Sequence, residues 1–444
     1  VPGEGQVIEP FSFLQTGDLH LDTPFVGLSN GAPPAVSARL RDATLRSWDR
    51  IVALALERRV DFVVVAGDVF ESETRTLMGQ LAFASGLARL AEVGIPAAVV
   101  TGNHDPLSGW EATVEWPAGA LRFGSDEVGA MPIVRGGKEI ARVYGISYGT
   151  KIERRDLAAM FHREADVPFA VGLLHATIGP NERHEPYAPT TDGVLADSGI
   201  DYWALGHIHS RRIVRASRPC VVYAGNPQGR DPGETEPRGV AVVMVGSDAV
   251  PHPEFVDTDV VRWTIVDLDV TSVSSMTRLH ELVRTTLNER RDSAGRSLVA
   301  RVRFTGFTPL HDELRRVHVL RDLEVAVRDG FPPEADPFVW VESLRDLTRS
   351  EAETAYARGA DFVSEFEALV AATRASLKGD VSGQEQGDAH ALELAPIAAE
   401  LFDDARFRRV AADPTAESVE GLAGGLNEAR VIALDRLRTT GESR

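Results

Sequence analysis

At 444 residues, with 43% hydrophobic and 25% charged residues, the chain has the composition of a globular protein too long for one ordinary core, so two or three domains are expected. No apolar run reaches the eighteen or so residues of a membrane span, the start VPGEGQVIEPFSF carries neither a basic nor an apolar leader, and a single cysteine, Cys220, excludes an intramolecular disulfide; a cytoplasmic protein without membrane attachment is expected. The 66 Asp+Glu against 47 Lys+Arg, a net charge of -19, weigh against long-range attraction to nucleic acid unless acidic groups bind divalent cations and invert the local sign.

In chain order, FSFLQTGD reads as a buried strand. SARLRDATLRSWDRIVALALERR follows as a helix with Leu45, Trp48, Val52 and Leu56 three or four apart. VDFVVVAGD is a second strand, TRTLMGQLAFASGLARLAEVG a second helix closed by Gly94 with Pro96 beyond, and IPAAVVTGNHD a third strand. This alternation predicts parallel strands joined by crossover helices, an α/β fold. FAVGLLHAT, YWALGHIHS, CVVYAGN and GVAVVMVG, with few helices between the last three, read as a second sheet, mixed or antiparallel. The stretch 246–259 (GSDAVPHPEFVDTD) reads as a linker. Beyond it, RWTIVDLDV, a helix around MTRLHELVRTTLNERR, SLVARVRFTG, a helix around LHDELRR, and LEVAVRDG predict a small α+β domain ending near residue 348. From 351 the pattern is helical, with a joint at KGDVSGQEQGD, 378–388.

Strand-like runs end repeatedly in metal-ligating residue types: Asp18 and His20; Asp68; Asn103, His104 and Asp105; His175; His207 and His209. Ligand sites of open α/β sheets lie at the carboxyl ends of strands, so residues scattered in sequence can converge. In an extended segment residues two apart face one side, which would let Asp18 act with His20 and His207 with His209. A carboxylate such as Asp68 can bridge two cations, and an Asn carbonyl with neutral imidazoles suits Mn, Fe or Zn. Gly17, Gly67, Gly102 and Gly206 let the chain turn sharply beside them. Any one piece alone is better read as a turn; all five in order define a dinuclear metal site, able to activate water and neutralise a phosphate.

The order D-x-H, G-D, G-N-H-D, H, G-H-x-H resembles that of the calcineurin-like metallophosphoesterases, over residues 11 to about 245. GDLHLDTPF together with YAGNPQGRDPGETEPRG resembles the DNA-repair exonuclease branch of that superfamily, the SbcD-like and YhaO-type proteins. VVRW, RFTGFTPLHDELRR and DPFVWVESLRDLTR resemble its capping domain. The resemblance implies a two-sheet sandwich flanked by helices (1–250), an α+β capping domain (258–348) and a helical C-terminal region (351–444). It implies one metal held by Asp18, His20, Asp68 and His209, and a second held by Asp68, Asn103, His175 and His207, with Mn as the expected ion. His104 would protonate the leaving oxygen, with Asp105 orienting it, and Asn226 and Arg230 are candidates for substrate binding. The implied activity is 3′–5′ exonuclease cleavage of DNA in repair, with single-strand endonuclease activity as an accompaniment. The implied partner is an SMC-like coiled-coil ATPase gripping the C-terminal helices, and a homodimer is a candidate assembly.

One position departs from the branch: some of its nucleases carry a histidine that positions DNA where this chain has Glu71, which would repel a phosphate unless turned away or neutralised. Rival readings are a phosphatase or small-molecule or cyclic-nucleotide phosphodiesterase, and a non-catalytic adaptor for the ATPase. Arg211, Arg212, Arg215 and Arg218 could hold a phosphate backbone or merely be solvated. Glu182 and His184 read as surface, Cys220, Trp203 and Trp340 as core. Asp22 either orients His20 or caps its turn.

Overall fold

A computed structural model describes residues 8–23, 25, 32–71, 76–109, 114–179 and 187–349. The helical region expected over 351–444, its joint at 378–388, and Glu182 and His184 lie outside the described residues. The chain opens with β1 (Phe11–Thr16), α1 (Pro34–Arg41), α2 (Ala43–Arg58), β2 (Phe62–Ala66), α3 (Leu77–Glu92), β3 (Ala97–Val100) and β4 (Ala120–Arg122). These four strands are parallel neighbours, in the register expected of crossover connections. The helix expected over 37–59 is divided into α1 and α2 at Asp42, and α2 closes at Arg59, whose φ of 51° is left-handed.

The second sheet begins with β5 (Gly129–Arg135), β6 (Lys138–Gly145) and β7 (Ala170–His175). A short pair, β8 (Thr177–Ile178) with β9 (Pro189–Thr190), and α4 (Asp192–Asp197) lead to β10 (Tyr202–Gly206), β11 (Arg212–Arg215) and β12 (Cys220–Tyr223). Its order is β11-β12-β10-β7-β6-β5, with the four central strands parallel and the two edges antiparallel. The two sheets face one another across an apolar layer. Phe11, Phe13, Phe62 and Val64 meet Phe169, Val171, Tyr202 and Cys220 there. The alternate residues point outward: Leu14, Val63 and Val65 pack under Trp48 and Ile51 of α2 and Phe83 and Leu87 of α3. On the far side of the second sheet Trp203 packs with Phe161 and Leu195.

Three expectations change: LEVAVRDG, expected as a strand, lies but for its final Gly330 in the helix Val317–Asp329, and two further changes concern the first sheet. GVAVVMVG forms β13 (Gly239–Val245), which pairs antiparallel with β1 and so belongs to the first sheet. Both faces of β13 are buried apart from Met244 near its end, and an all-apolar run carries no mark of which sheet receives it. The stretch expected as a linker holds β14 (Pro251–Asp257), a hairpin partner of β13. Its Pro251 and Pro253 are tolerated because β14 lies at the sheet edge.

The α+β segment consists of β15 (Val261–Asp269), α5 (Met276–Ala294), β16 (Ser297–Thr305), α6 (His311–Leu314), α7 (Val317–Asp329) and β17 (Val339–Asp346), with sheet order β15-β16-β17. The chain divides into two compact units, one of Val1–Leu268, Thr277–Phe304 and Val317–Arg345, the other of Asp269–Met276, Thr305–Arg316 and Asp346–Arg444. Within the first unit Val261, Trp263, Val299, Phe338 and Trp340 share a core with Val36, Leu40 and Ala43. The α+β strands are thereby packed directly on α1 and α2. In the second, the Thr308 hydroxyl donates to Val273 O at 2.9 Å and His311 Nδ1 lies 2.9 Å from Thr348 Oγ1. Among the described residues no helix is long and apolar enough to cross a membrane. Cys220, Trp203 and Trp340 are all buried, as expected.

Candidate metal centre

Asp18 and His20 follow β1, Asp68 follows β2, Asn103 to Asp105 follow β3, His175 ends β7, and His207 and His209 follow β10. All stand at the carboxyl ends of parallel strands, so two sheets deliver ligands to one end of the sandwich. Asp18 and His20 do not converge by extended alternation. Both have left-handed backbone, φ 49° and 42°, as do Asp68 at 51° and His207 at 94°. Non-glycine residues held there cost energy, and such strain clusters at functional sites. Glycine is needed at two close approaches: between the sheets, where a Cβ on Gly206 would lie 1.9 Å from Ala66 O, and between neighbouring strand ends of the first sheet, where one on Gly102 would lie 2.3 Å from Asp68 Oδ1.

Among the described residues the side chains form three groups with metal-ligating spacing: Asp18 with His20 and His209, Asp68 with His175 and His207, and His20 with Glu71 and His104; the first two match the expected ligand sets. In the first, His20 Nε2 faces His209 Nε2 at 3.3 Å. His209 Nδ1 donates to Glu234 Oε1 at 2.6 Å, so its Nε2 presents a lone pair. Two imidazole nitrogens bound to one tetrahedral zinc-like ion, at about 2.0–2.1 Å each, would stand about 3.3 Å apart. In the second group His175 Nδ1 donates to Ala66 O at 2.9 Å, and Nε2 lies 2.9 Å from Asn103 Oδ1 and 3.2 Å from Asp68 Oδ2, a position where it donates to these oxygens when protonated and offers a lone pair to a cation when it is not. His207 Nδ1 lies 3.3 Å from the same Asn103 oxygen. Carboxylate, amide and imidazole ligand atoms thus crowd together at short range in a largely buried place. This donor set fits divalent cations, and Asp68 lies between the groups, 4.0 Å from His20 Nε2 through the same Oδ2.

Electrostatics separate the two groups. Burial, and then the charge of Arg230, lower His20 to about 4, which keeps it a neutral ligand. Burial opposes charge on Asp68, yet His175 beside it holds the carboxyl well below the usual carboxylate range. Burial likewise opposes charge on His175, and Asp68 outweighs it, raising the imidazole to about 9. A proton held between this pair occupies the lone pairs that a cation would take, so proton and metal compete.

Other expected residues are placed differently. Asp105 was expected to orient His104, but its carboxylate accepts from the backbone N–H groups of Asp68 at 3.2 Å, Val69 at 2.8 Å and Gly102 at 2.7 Å. It fastens the loop after β2 to the loop after β3, and burial beside Asp68 pushes it up to about 7. The group on the ring is Glu71, whose Oε1 lies 2.5 Å from His104 Nδ1. Asn226 is fully buried, its amide donating to Gln228 O and accepting from Arg238, which corrects its expected role in substrate binding. Both ends of that amide are used in shaping the loop after β12. Arg230 is partly buried, and its Nε has no hydrogen-bond partner among the described residues. Arg211, Arg215 and Arg218 pair with Asp257, Asp192 and Asp201, so that row is largely neutralised. Asp22 accepts from Thr76, the cap of α3, and its N–H donates to Thr44 Oγ1 at 2.9 Å; it fixes the turn to the helices. Glu234 was not foreseen from the sequence. It lies 25 residues from His209, and its only signal is its place in the stretch DPGETEPRG.

The fold and these ligand groups define a class. Residues 11–211 match the calcineurin-like phosphoesterases and residues 263–349 match the middle domain of the metallophosphoesterase YhaO. The chain is 35% identical to the uncharacterized metallophosphoesterase YhaO of Bacillus subtilis, over 78% of its own length and 84% of that protein. It therefore belongs to the calcineurin-like metallophosphoesterases. It is also 29% identical to the DNA double-strand break repair protein Mre11 of Haloferax volcanii (61% of this chain, 57% of that one) and 28% identical to Mre11 of Aeropyrum pernix (48% and 52%). The chain thus spans little more than half the length of either Mre11 protein.

Proposed function

We propose that this metallophosphoesterase hydrolyses DNA phosphodiesters, as a 3′–5′ exonuclease with single-strand endonuclease activity, and that Mn ions fill its centre. The observation that carries the reading is the pair of buried acceptor groups beside Asp68 with His104 next to them. Asp18, His20, Asp68 and His209 would hold one ion; Asp68, Asn103, His175 and His207 would hold the other. Bound divalent ions supply Lewis-acid polarisation of the phosphate and a water nucleophilic at neutral pH. The chain's own groups do the rest. His104, 35% exposed at the side chain, has Nδ1 held by Glu71 and its backbone N–H on Asp68 Oδ1 at 2.9 Å, which orients Nε2 as the nitrogen that protonates the leaving oxygen. Arg230, with its charge beside His20 and an unpaired Nε, is the cation proposed to meet a non-bridging phosphate oxygen.

DNA is favoured as substrate because the relatives beyond YhaO carry DNA double-strand break repair in their names. The region 351–444 is proposed to engage an SMC-like ATPase. The test is digestion of end-labelled double- and single-stranded DNA by Mn-loaded protein, against a chromogenic phosphodiester. His104→Ala is expected to keep both metals and to lose about 10²- to 10⁴-fold in turnover. Full turnover by that variant would refute the role of His104; chromogenic turnover without DNA cleavage would move the assignment to a small-molecule phosphodiesterase.

A further inference from the structure

Glu71 enters the site from the loop after β2 and meets two imidazoles at once. Its Oε1 lies 2.5 Å from His104 Nδ1, and its Oε2 lies 3.3 Å from His20 Nδ1. Nδ1 of His20 is buried and makes no hydrogen bond among the described residues; the Glu71 carboxylate at 3.3 Å is an ion-pair contact with it. The rings of His20 and His104 stand edge to face, 5.1 Å apart between centroids, so one carboxylate spans both. Two consequences follow from simple chemistry. A carboxylate on the far nitrogen of a ligating histidine fixes the ring and its tautomer, and losing such a partner typically weakens metal binding. A carboxylate on Nδ1 of His104 directs Nε2 toward the substrate.

We infer that Glu71 is a positioning residue that couples the two: hydrogen-bonded to His104 through one oxygen and set against His20 Nδ1 through the other, it ties retention of the metal at His20 to the placement of the proton donor. The negative charge that would repel a phosphate is turned inward and spent on two imidazoles. The inference rests on the proposed metal centre and goes beyond it, because nothing in the ligand set itself requires a residue at this position to touch both rings.

The experiment uses the full chain, stripped of metal and titrated with Mn2+ by calorimetry, together with steady-state hydrolysis of a chromogenic phosphodiester. Glu71→Gln offers one acceptor oxygen in place of two. It is expected to weaken one of two Mn2+ sites about 10- to 100-fold, to leave the other unchanged, and to lower kcat while KM moves less than about twofold. Glu71→Asp, which keeps the charge and loses reach, is expected to recover part of one effect and not of both. In a His104→Ala background Glu71→Gln should still weaken the same Mn2+ site, which isolates the His20 arm. Near-UV circular dichroism of each variant checks that the fold is intact. Unchanged Mn2+ affinities with lowered kcat would overturn the coupling, and unchanged values of both would overturn any positioning role. A wild-type chain that binds no Mn2+ would instead refute the metal centre on which the inference stands.

Discussion

Asp18, His20, Asp68 and His207 hold their side chains together through backbone that L-residues rarely adopt, each at a cost of roughly 1–3 kcal/mol. Such geometry persists only where neighbours leave no alternative. Asp105 supplies part of that restraint, with its carboxylate on three backbone N–H groups. Gly206 supplies another part by permitting the approach of Ala66 O from the facing sheet. Gly206→Ala should therefore destabilise the chain by about 3 kcal/mol or more, because backbone meets backbone and neither side can yield as a side chain could. Chemical denaturation measures this; a midpoint equal to that of the wild type would show that the sheets can part locally without loss.

At the scale of elements, the strands that carry the ligands are joined by more than apolar contact. Gln15 of β1, on the face between the sheets, donates to Leu205 O at 3.3 Å and Val222 O at 2.9 Å and accepts from Tyr202 at 2.6 Å. Gln15→Leu would leave these partners buried and unpaired, and is expected to cost about 2–4 kcal/mol, against about 1 kcal/mol for Tyr202→Phe. Equal losses in urea denaturation would contradict the bridging role. The strands themselves were legible in the sequence, because apolar runs ending in Gly-Asp, Gly-Asn-His-Asp or Gly-His-Ile-His mark both the strand and its functional end. Pairings across the site were not legible. That Glu71 reaches His104, or that Glu234 reaches His209, depends on loops brought together only in the folded chain. Asp105 was misread because its neighbour in sequence, His104, is a poor guide to its neighbours in space. β13 was assigned to the wrong sheet because a strand buried on both faces has no alternating pattern to identify its partner.

For the whole molecule, the acceptor groups make stability depend on cation. At a free ion concentration about 100 times Kd, each occupied site adds roughly 2.7 kcal/mol. Metal-stripped protein in EDTA should therefore melt several degrees below Mn2+-loaded protein, with the difference shrinking in His175→Ala. Identical melting with and without cation would refute the fit argued from the lone pairs. The pairing of β1 with β13 carries a further consequence, for synthesis on the ribosome. Phe11 lies opposite Val245, roughly 230 residues later, so at about 5–20 residues per second the first strand waits on the order of 10 to 50 s for its neighbour. During that interval an apolar strand has one open hydrogen-bonding edge, the kind of edge that recruits other chains. Growing chains of this protein are thus expected to need a chaperone over the same stretch of translation in which the last ligands, His207 and His209, have yet to emerge.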